Sequence, residues 1–320
     1  MVTIKDVAAD AGVSVSTVSY AFTRRRSVGD ETRLRILESA DRLGYTPSSA
    51  ARALRSGHAR VLGLVATRGG VHGSLERVVG AAARAARSRG FDLLVVAGED
   101  YGRANLADGL LVLDVRRADT RLNLLAALRR PVVLLGTTEE SGDFPAVDLD
   151  FRAAGRLAVD VLADRGHAEI AIGVAARIPG AAPLGYSAAF QRGALERCAA
   201  RRVHGTVVEQ HDGKPSTRPR MPAGSGFAAV VAEGPDGCDD LLRTMRARGL
   251  LAPGFAAVTV APARWRSRMS PDVRVIELPV RRTVEHAIDL LVGALHGVPG
   301  AAPGLTLPAV LSPARGNVTV

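Results

Sequence analysis

The chain has 320 residues, 47% of them hydrophobic, enough for about two domains with a sizeable core each. No apolar run approaches the roughly 18 residues of a membrane span, and the N-terminus lacks a secretory pattern, so no membrane partner is expected and the cytoplasm is. The two cysteines, Cys198 and Cys238, exclude a disulfide framework and a clustered zinc site, and each reads as a small buried hydrophobe. The net charge of +10 comes almost entirely from arginine and favours an anionic partner; residues 1–60 hold ten Lys/Arg against six Asp/Glu, so the excess is densest there.

The first element is a short helix. Thr3 with Asp6 three positions on is close to a capping box, Ile4, Val7, Ala8 and Ala11 form one apolar stripe, and Gly12 stops the helix. Ser14 is the next N-cap, with Val13 and Val18 at staple spacing. On the second helix Val15, Val18, Ala21 and Phe22 share a face, while Ser16 and Tyr20 point the other way with Thr17 beside them. Two short helices joined by a glycine turn form a helix-turn-helix, whose second helix enters the major groove. Small hydroxyls suit that task, because they reach base edges and phosphates without holding the helix away. A third helix opens at Gly29 with Asp30 and Glu31 in its first turn; Ile36, Leu37, Ala40 and Leu43 are its expected inner face, and Gly44 and Pro47 end it.

The strings TIKDVAADAGVSVSTVSYAF and DETRLRILESADRLGYTPSSAARALRSG resemble, without a gap over about 57 residues, the headpiece and hinge of the lactose-repressor (LacI) family. The resemblance implies that Val15, Ser16 and Tyr20 occupy base-reading positions and that Thr3, Ser14, Thr17 and Ser19 contact the backbone and its neighbours. Tyr20 departs from the Arg or His common there and cannot make the two-pronged contact to guanine, so the half-site should differ. In the loop TRRRS, Arg24, with Arg25 and Arg26, is a candidate phosphate contact. Residues 48–56 are too short a helix to be stable alone. By resemblance they order on DNA, Leu54 wedging into the minor groove while Ala51 and Ala53 allow close approach.

From Val61 onward short apolar strands alternate with helices near 74–89, 119–130, 152–165, 184–201, 236–248 and 280–296. Such alternation means parallel sheets with helical crossovers. The expected fold class is α/β: a three-helix helix-turn-helix headpiece at 1–46, a hinge helix or linker at 47–57, and a two-lobed core at 58–320 with parallel sheets that resembles the periplasmic-binding-protein-like core of the same family. Lobe one is expected at about 60–144 and 278–302, lobe two at about 145–277 and 303–320. One crossover is abnormal: between FDLLVVAG and GLLVLDV only residues 99–108 remain, where family members carry a full helix.

The effector cleft departs further from the resemblance. Gly73 and Ser74 stand where the family has an aromatic pair, Ala182 where an arginine grips ligand oxygens, Glu233 with Gly234 where an Asn-Asp pair is expected, and Ala261 where an aspartate follows the strand. Burying a sugar without oriented partners is unfavourable, so common sugars and purines are not expected as effectors. APARWRSRM brings Arg264, Trp265 and Arg266 near the cleft mouth, where an anionic effector is one reading and a solvated loop the other.

Three classes compete: a dimeric DNA-binding repressor reading a near-palindromic operator, a ligand-binding module without a DNA role, and an enzyme on a doubly wound fold. The headpiece favours the first, with double-stranded operator DNA and a second copy of the chain as partners and an unidentified small molecule as the remaining candidate ligand. No phosphate loop, nucleophile elbow, metal-spaced His/Cys set or dinucleotide fingerprint occurs, so no catalytic residue and no cofactor is assigned.

Overall fold

The computed structural model describes residues 2–23, 28–45, 59–66, 74–98, 101–138, 144–175, 182–211, 214–215, 227–232, 235–247, 249–298 and 304–312. The chain divides into two units, Met1–Arg60 and Val61–Val320. The expected hinge at 47–57, with Ala51, Ala53 and Leu54, and the loop arginines Arg24 to Arg26 lie outside the described residues.

The first unit holds α1 (Ile4–Ala11), α2 (Val15–Thr23) and α3 (Asp30–Leu43). The N–H and hydroxyl of Thr3 both donate to the Asp6 carboxylate, at 2.7 and 2.8 Å. Those bonds hold the Asp6 carboxyl below the usual carboxylate range. Gly12 ends α1 in the left-handed region, φ 64°, and Gly44 ends α3 the same way. Val7, Val18 and Ile36 are fully buried at the centre, each worth about 1.5–3 kcal/mol. One inner-face expectation fails: Leu37 is 36% exposed, and Ser39 is buried in its stead. The Ser39 hydroxyl donates to Asp10 at 2.6 Å, and Asp10 also accepts from Arg42, so α3 meets α1 partly through a polar link. These bonds, Ser39 first, lower the Asp10 pKa.

The second unit contains two six-stranded sheets. The first runs in the order β12-β5-β4-β3-β1-β2, from β1 (Val61–Ala66), β2 (Asp92–Ala97), β3 (Gly109–Val112), β4 (Val132–Leu135), β5 (Ala146–Leu149) and β12 (Leu305–Leu307). All its pairs are parallel. Alternation along the strands splits its core: Leu62, Leu64, Leu111 and Val133 pack under α4 (Ser74–Ser88) and α9 (Val280–Leu295). Val65, Leu110, Val112 and Leu134 face Leu122 and Leu125 of α5 (Arg121–Ala127) and the buried Ala104 and Ala107. Among the described residues of the short crossover from β2 to β3, Tyr101–Leu106 form a 3₁₀ helix and none lies in an α-helix. Six residues at about 2 Å each still span the strand they must cross.

The second sheet runs β11-β10-β9-β6-β7-β8, from β6 (Glu169–Ala175), β7 (His204–His211), β8 (Lys214–Pro215), β9 (Phe227–Ala232), β10 (Leu251–Ala261) and β11 (Val273–Glu277); only β7–β8 is antiparallel. Helices α6 (Phe151–Ala163) and α7 (Gly185–Arg201) cover one face, α8 (Pro235–Ala247) the other. Helices α6 and α7 approach so closely that a Cβ on Gly155 or Gly193 would overlap the other helix's backbone.

The expected division of the lobes needs correction. Residues 146–149 and 305–307, read as part of lobe two, are strands of the first sheet, where β12 pairs with β5 from Leu305↔Val147 to Leu307↔Leu149. A three-residue strand with two leucines cannot choose between two equally apolar sheets; the neighbouring strand chooses for it.

Candidate nucleic-acid interface and interlobe contacts

On α2 the buried side, Val18 and Ala21, fixes the helix against α1 and α3. Its opposite rim is a chain of hydroxyls. Ser14 Oγ accepts the Thr17 N–H at 3.1 Å as the N-cap, and lies 2.7 Å from Ser16 Oγ and 2.8 Å from Thr17 Oγ1. Ser14 and Ser16 are exposed, while Val15, Thr17, Ser19 and Tyr20 are half-buried; Thr3 is exposed at the start of α1. The structure therefore brings Ser14, Ser16 and Thr17 together, with Tyr20 one turn beyond Ser16. Linked hydroxyls of this kind can exchange their mutual bonds for bonds to phosphate or base edges.

In the second unit the lobes meet between the segment after β3 and the segment before α7. The N–H of Gly185 donates to Val115 O at 2.8 Å, that of Arg117 to Pro183 O at 3.0 Å, and Arg116 Nη1 to Ala182 O at 2.7 Å. Asp119 and Arg121 support this segment from below: Arg121 Nε donates to Asp119 at 2.8 Å, and the Arg116 N–H to the same carboxylate at 3.0 Å. Burial pushes the Asp119 carboxyl up, but the Arg121 and Arg116 bonds outweigh it and leave it below the usual range. Behind the contact, Asp148 Oδ2 accepts the Thr137 N–H at 3.0 Å and its hydroxyl at 3.2 Å. Burial pushes this carboxyl up to about 7, against the opposing pull of those bonds.

Burial pushes both thiols up, Cys238 to about 12, which leaves neither as a ready nucleophile. Burial and the nearby Arg165 lower the His167 pKa; His167 follows Gly166, φ 85°, in the turn after α6. Among the described residues no group of three His, Cys, Asp or Glu could hold a metal ion, and no helix is long and apolar enough to cross a membrane.

Residues 3–48 match the family model described as bacterial regulatory proteins, lacI family. The HTH-type transcriptional repressor PurR of Proteus mirabilis (strain HI4320) is 35% identical over 184 residues, 54% of this chain and 54% of the relative. PurR of Serratia proteamaculans (strain 568) is 36% identical over 182 residues, 53% of each. The matched stretch, residues 3–48, carries the helix-turn-helix of the lacI family. The sequence match spans about half the length of these curated relatives, whereas the fold likeness extends over nearly all of the chain. The structure of the lac repressor dimer bound to operator and the anti-inducer ONPF aligns with a TM-score of 0.81 at 19% identity, covering 98% of both chains. The transcriptional regulator CelR–cellobiose complex aligns with a TM-score of 0.69 at 22% identity, covering 98% of this chain and 99% of that one. At such identities the likeness establishes the fold: a helical headpiece and a two-sheet periplasmic-binding-protein-like core.

Within this fold the expected cleft residues scatter. Gly73 and Glu233 lie outside the described residues, and Ser74 is the first residue of α4. Ala182 is half-buried, with its carbonyl held by Arg116. Ala261 is fully buried, its carbonyl accepting the Leu278 N–H at 2.9 Å, so it offers nothing to a ligand. Arg264 is exposed, and Trp265 packs against the core of the second lobe with Arg77 and Arg268 guanidinium carbons 5.6 and 5.7 Å from its ring centroid. Sequence reasoning missed Arg116, Asp119, Arg121 and Asp148. Arg121 and Asp119 stand two residues apart, but nothing local marks that pair as buried.

Proposed function

We propose that this protein is a dimeric, sequence-specific DNA-binding repressor of the LacI family without catalytic activity, built as a headpiece at 1–46, a hinge at 47–57 and a two-lobed core at 58–320. The observation that carries the reading is the linked hydroxyl rim of Ser14, Ser16 and Thr17 on a helix locked by Val18, inside the 3–48 stretch that matches the family model. Val15, Ser16 and Tyr20 read base edges; Thr3, Ser14, Thr17, Ser19 and Arg24 hold the phosphate backbone; Leu54, flanked by Ala51 and Ala53, opens a central base step. Two headpieces on a two-fold dimer require matching half-sites, hence a near-palindromic operator. The reading is supported by relatives named as transcriptional repressors and by a structural neighbour solved as a dimer on its operator.

The core is not built for ordinary sugars. Ala182 has no guanidinium to offer, and its carbonyl is engaged by Arg116. A sugar panel in an operator-release assay should leave the complex intact; a sugar that dissociates it at micromolar concentration would show the cleft misread.

The DNA reading is tested by footprinting on sites recovered from the genome with the full chain. Tyr20→Ala should change preference at one or two base pairs by about 1–3 kcal/mol. An equal loss on every sequence would make Tyr20 a phosphate contact, and no protected site at all would sink the function.

A further inference from the structure

A cavity of about 470 Å³ opens in the second unit where the chain crosses between the lobes. Its floor is apolar, from Ala81, Leu278, Val280 and Leu307, and its walls carry five arginines: Arg77 and Arg84 from α4, Arg281 and Arg282 from the start of α9, and Arg264 from the second lobe. Among the described residues that line it, Glu277 is the one carboxylate. Among the described residues Arg84, Arg264 and Arg282 have no carboxylate within ion-pair distance, and the ion pair of Arg281 runs away from the cavity to Glu285 one turn along its own helix. Of the described residues expected at or near the effector cleft, Arg264 lines this cavity, whereas Ala182, Ala261 and Trp265 do not.

The arrangement departs from the usual charge pattern of a helix start. Helix N-termini favour acidic residues, yet the first turn of α9 has none and places Arg281 and Arg282 on the positive end of the helix, with Pro279 supplying no side-chain cap. Like charges converge on that end from a second helix and from the other lobe. A surface selected only for solubility would spread these charges; a site for a multiply charged anion would collect them.

We propose that this cavity binds a small polyanion, a metabolite with two or more phosphate or carboxylate groups, and that the anion ties Arg264 of the second lobe to Arg84, Arg281 and Arg282 of the first. The volume suits a ligand of that size. An anion gripped from both lobes binds one interlobe angle better than another, and so shifts the population of core conformations. Its effect on operator affinity rests on the DNA-binding function proposed above; the binding itself does not.

The test is isothermal titration calorimetry on the full chain at fixed ionic strength, with inorganic pyrophosphate, citrate and glucose as probes. The expected result is saturable binding of pyrophosphate or citrate at one site per chain, with a Kd on the order of 0.1 mM or tighter, and none of glucose. The contrast between the two anions tells a phosphate ligand from a carboxylate one. The double variant Arg84→Gln/Arg282→Gln should weaken that binding at least tenfold and, because it relieves repulsion, should melt no earlier than the wild type at low salt. Arg103→Gln, on the exposed 3₁₀ helix, should bind as the wild type does. Equal binding by wild type and double variant, or none by either anion, overturns the site. So does a double variant that loses affinity for non-operator DNA, or that sediments as a different oligomer, while its anion binding is unchanged; the arginines would then belong to a phosphodiester surface or to a second copy. Operator footprinting with the bound anion separates the two levels: binding without any change in operator affinity refutes the regulatory role, and a wild type that never binds DNA refutes the function above while leaving the anion site standing.

Discussion

Gly185→Ala should loosen the contact between the lobes. Gly185 opens α7, its N–H donates to Val115 O at 2.8 Å, and a Cβ there would overlap the Thr137 carbonyl oxygen and come within 3.2 Å of Val115 O. Thr137 cannot easily retreat, because the Asp148 carboxylate holds its N–H at 3.0 Å and its hydroxyl at 3.2 Å, while the next hydroxyl, Thr138, donates to Arg117 O at 2.6 Å. The least costly relief is for the start of α7 to move off residues 115–117, which sacrifices the Gly185–Val115, Arg117–Pro183 and Arg116–Ala182 bonds together. At about 1 kcal/mol net per bond the loss is roughly 2–3 kcal/mol. For a unit of this size that lowers the melting temperature by about 5–10 °C in differential scanning calorimetry. Gly80→Ala is the matched control: it lies in α4, where a Cβ meets only Arg84 Nη1 at 3.6 Å, and it should stabilise by about 0.5–1 kcal/mol through the better helix former. A Gly185→Ala protein that melts within about 2 °C of the wild type would refute the argument, because the overlap would then have been absorbed without cost to the interlobe bonds.

Asp148 should make stability pH-dependent in the opposite sense to a salt-bridged acid. Its folded pKa is raised to about 7, so the folded protein keeps a proton that the unfolded chain has lost, and stability falls as pH rises from about 4 to about 7 and then levels off. Asp148→Asn should therefore gain on the wild type in melting temperature between pH 5 and pH 8; a constant difference would show that the carboxyl does not titrate there. Ser14→Ala should cost about 1 kcal/mol of headpiece stability by removing the cap on Thr17, read as faster amide exchange through α2. Gly155→Ala should cost about 2–3 kcal/mol or more by driving α6 from the backbone of α7, measured by denaturant unfolding, and wild-type stability in that variant would contradict the close approach of the two helices.

The headpiece was legible in the sequence because its signals are local. Thr3, Gly12, Ser14, Gly29 and Gly44 mark helix ends within a few residues of where they act, and the Val7, Val18 and Ile36 stripes follow from a 3.6-residue period. The strands beginning with VLGLVA were legible for the same reason: runs bounded by turn residues carry their own period. What the local pattern could not contain was decided by the tertiary structure. Ser39 rather than the expected Leu37 is buried on α3, and Asp10, some thirty residues earlier, supplies the partner for its hydroxyl. The assignment of 146–149 and 305–307 to the first sheet depends on which strand stands beside them. The five arginines of the cavity come from positions 77, 84, 264, 281 and 282, each an ordinary surface charge on its own segment, and only the crossing of the chain between the two lobes makes them neighbours. Period and capping are properties of a few consecutive residues, whereas convergence of charge is a property of distance in space, which sequence separation does not determine.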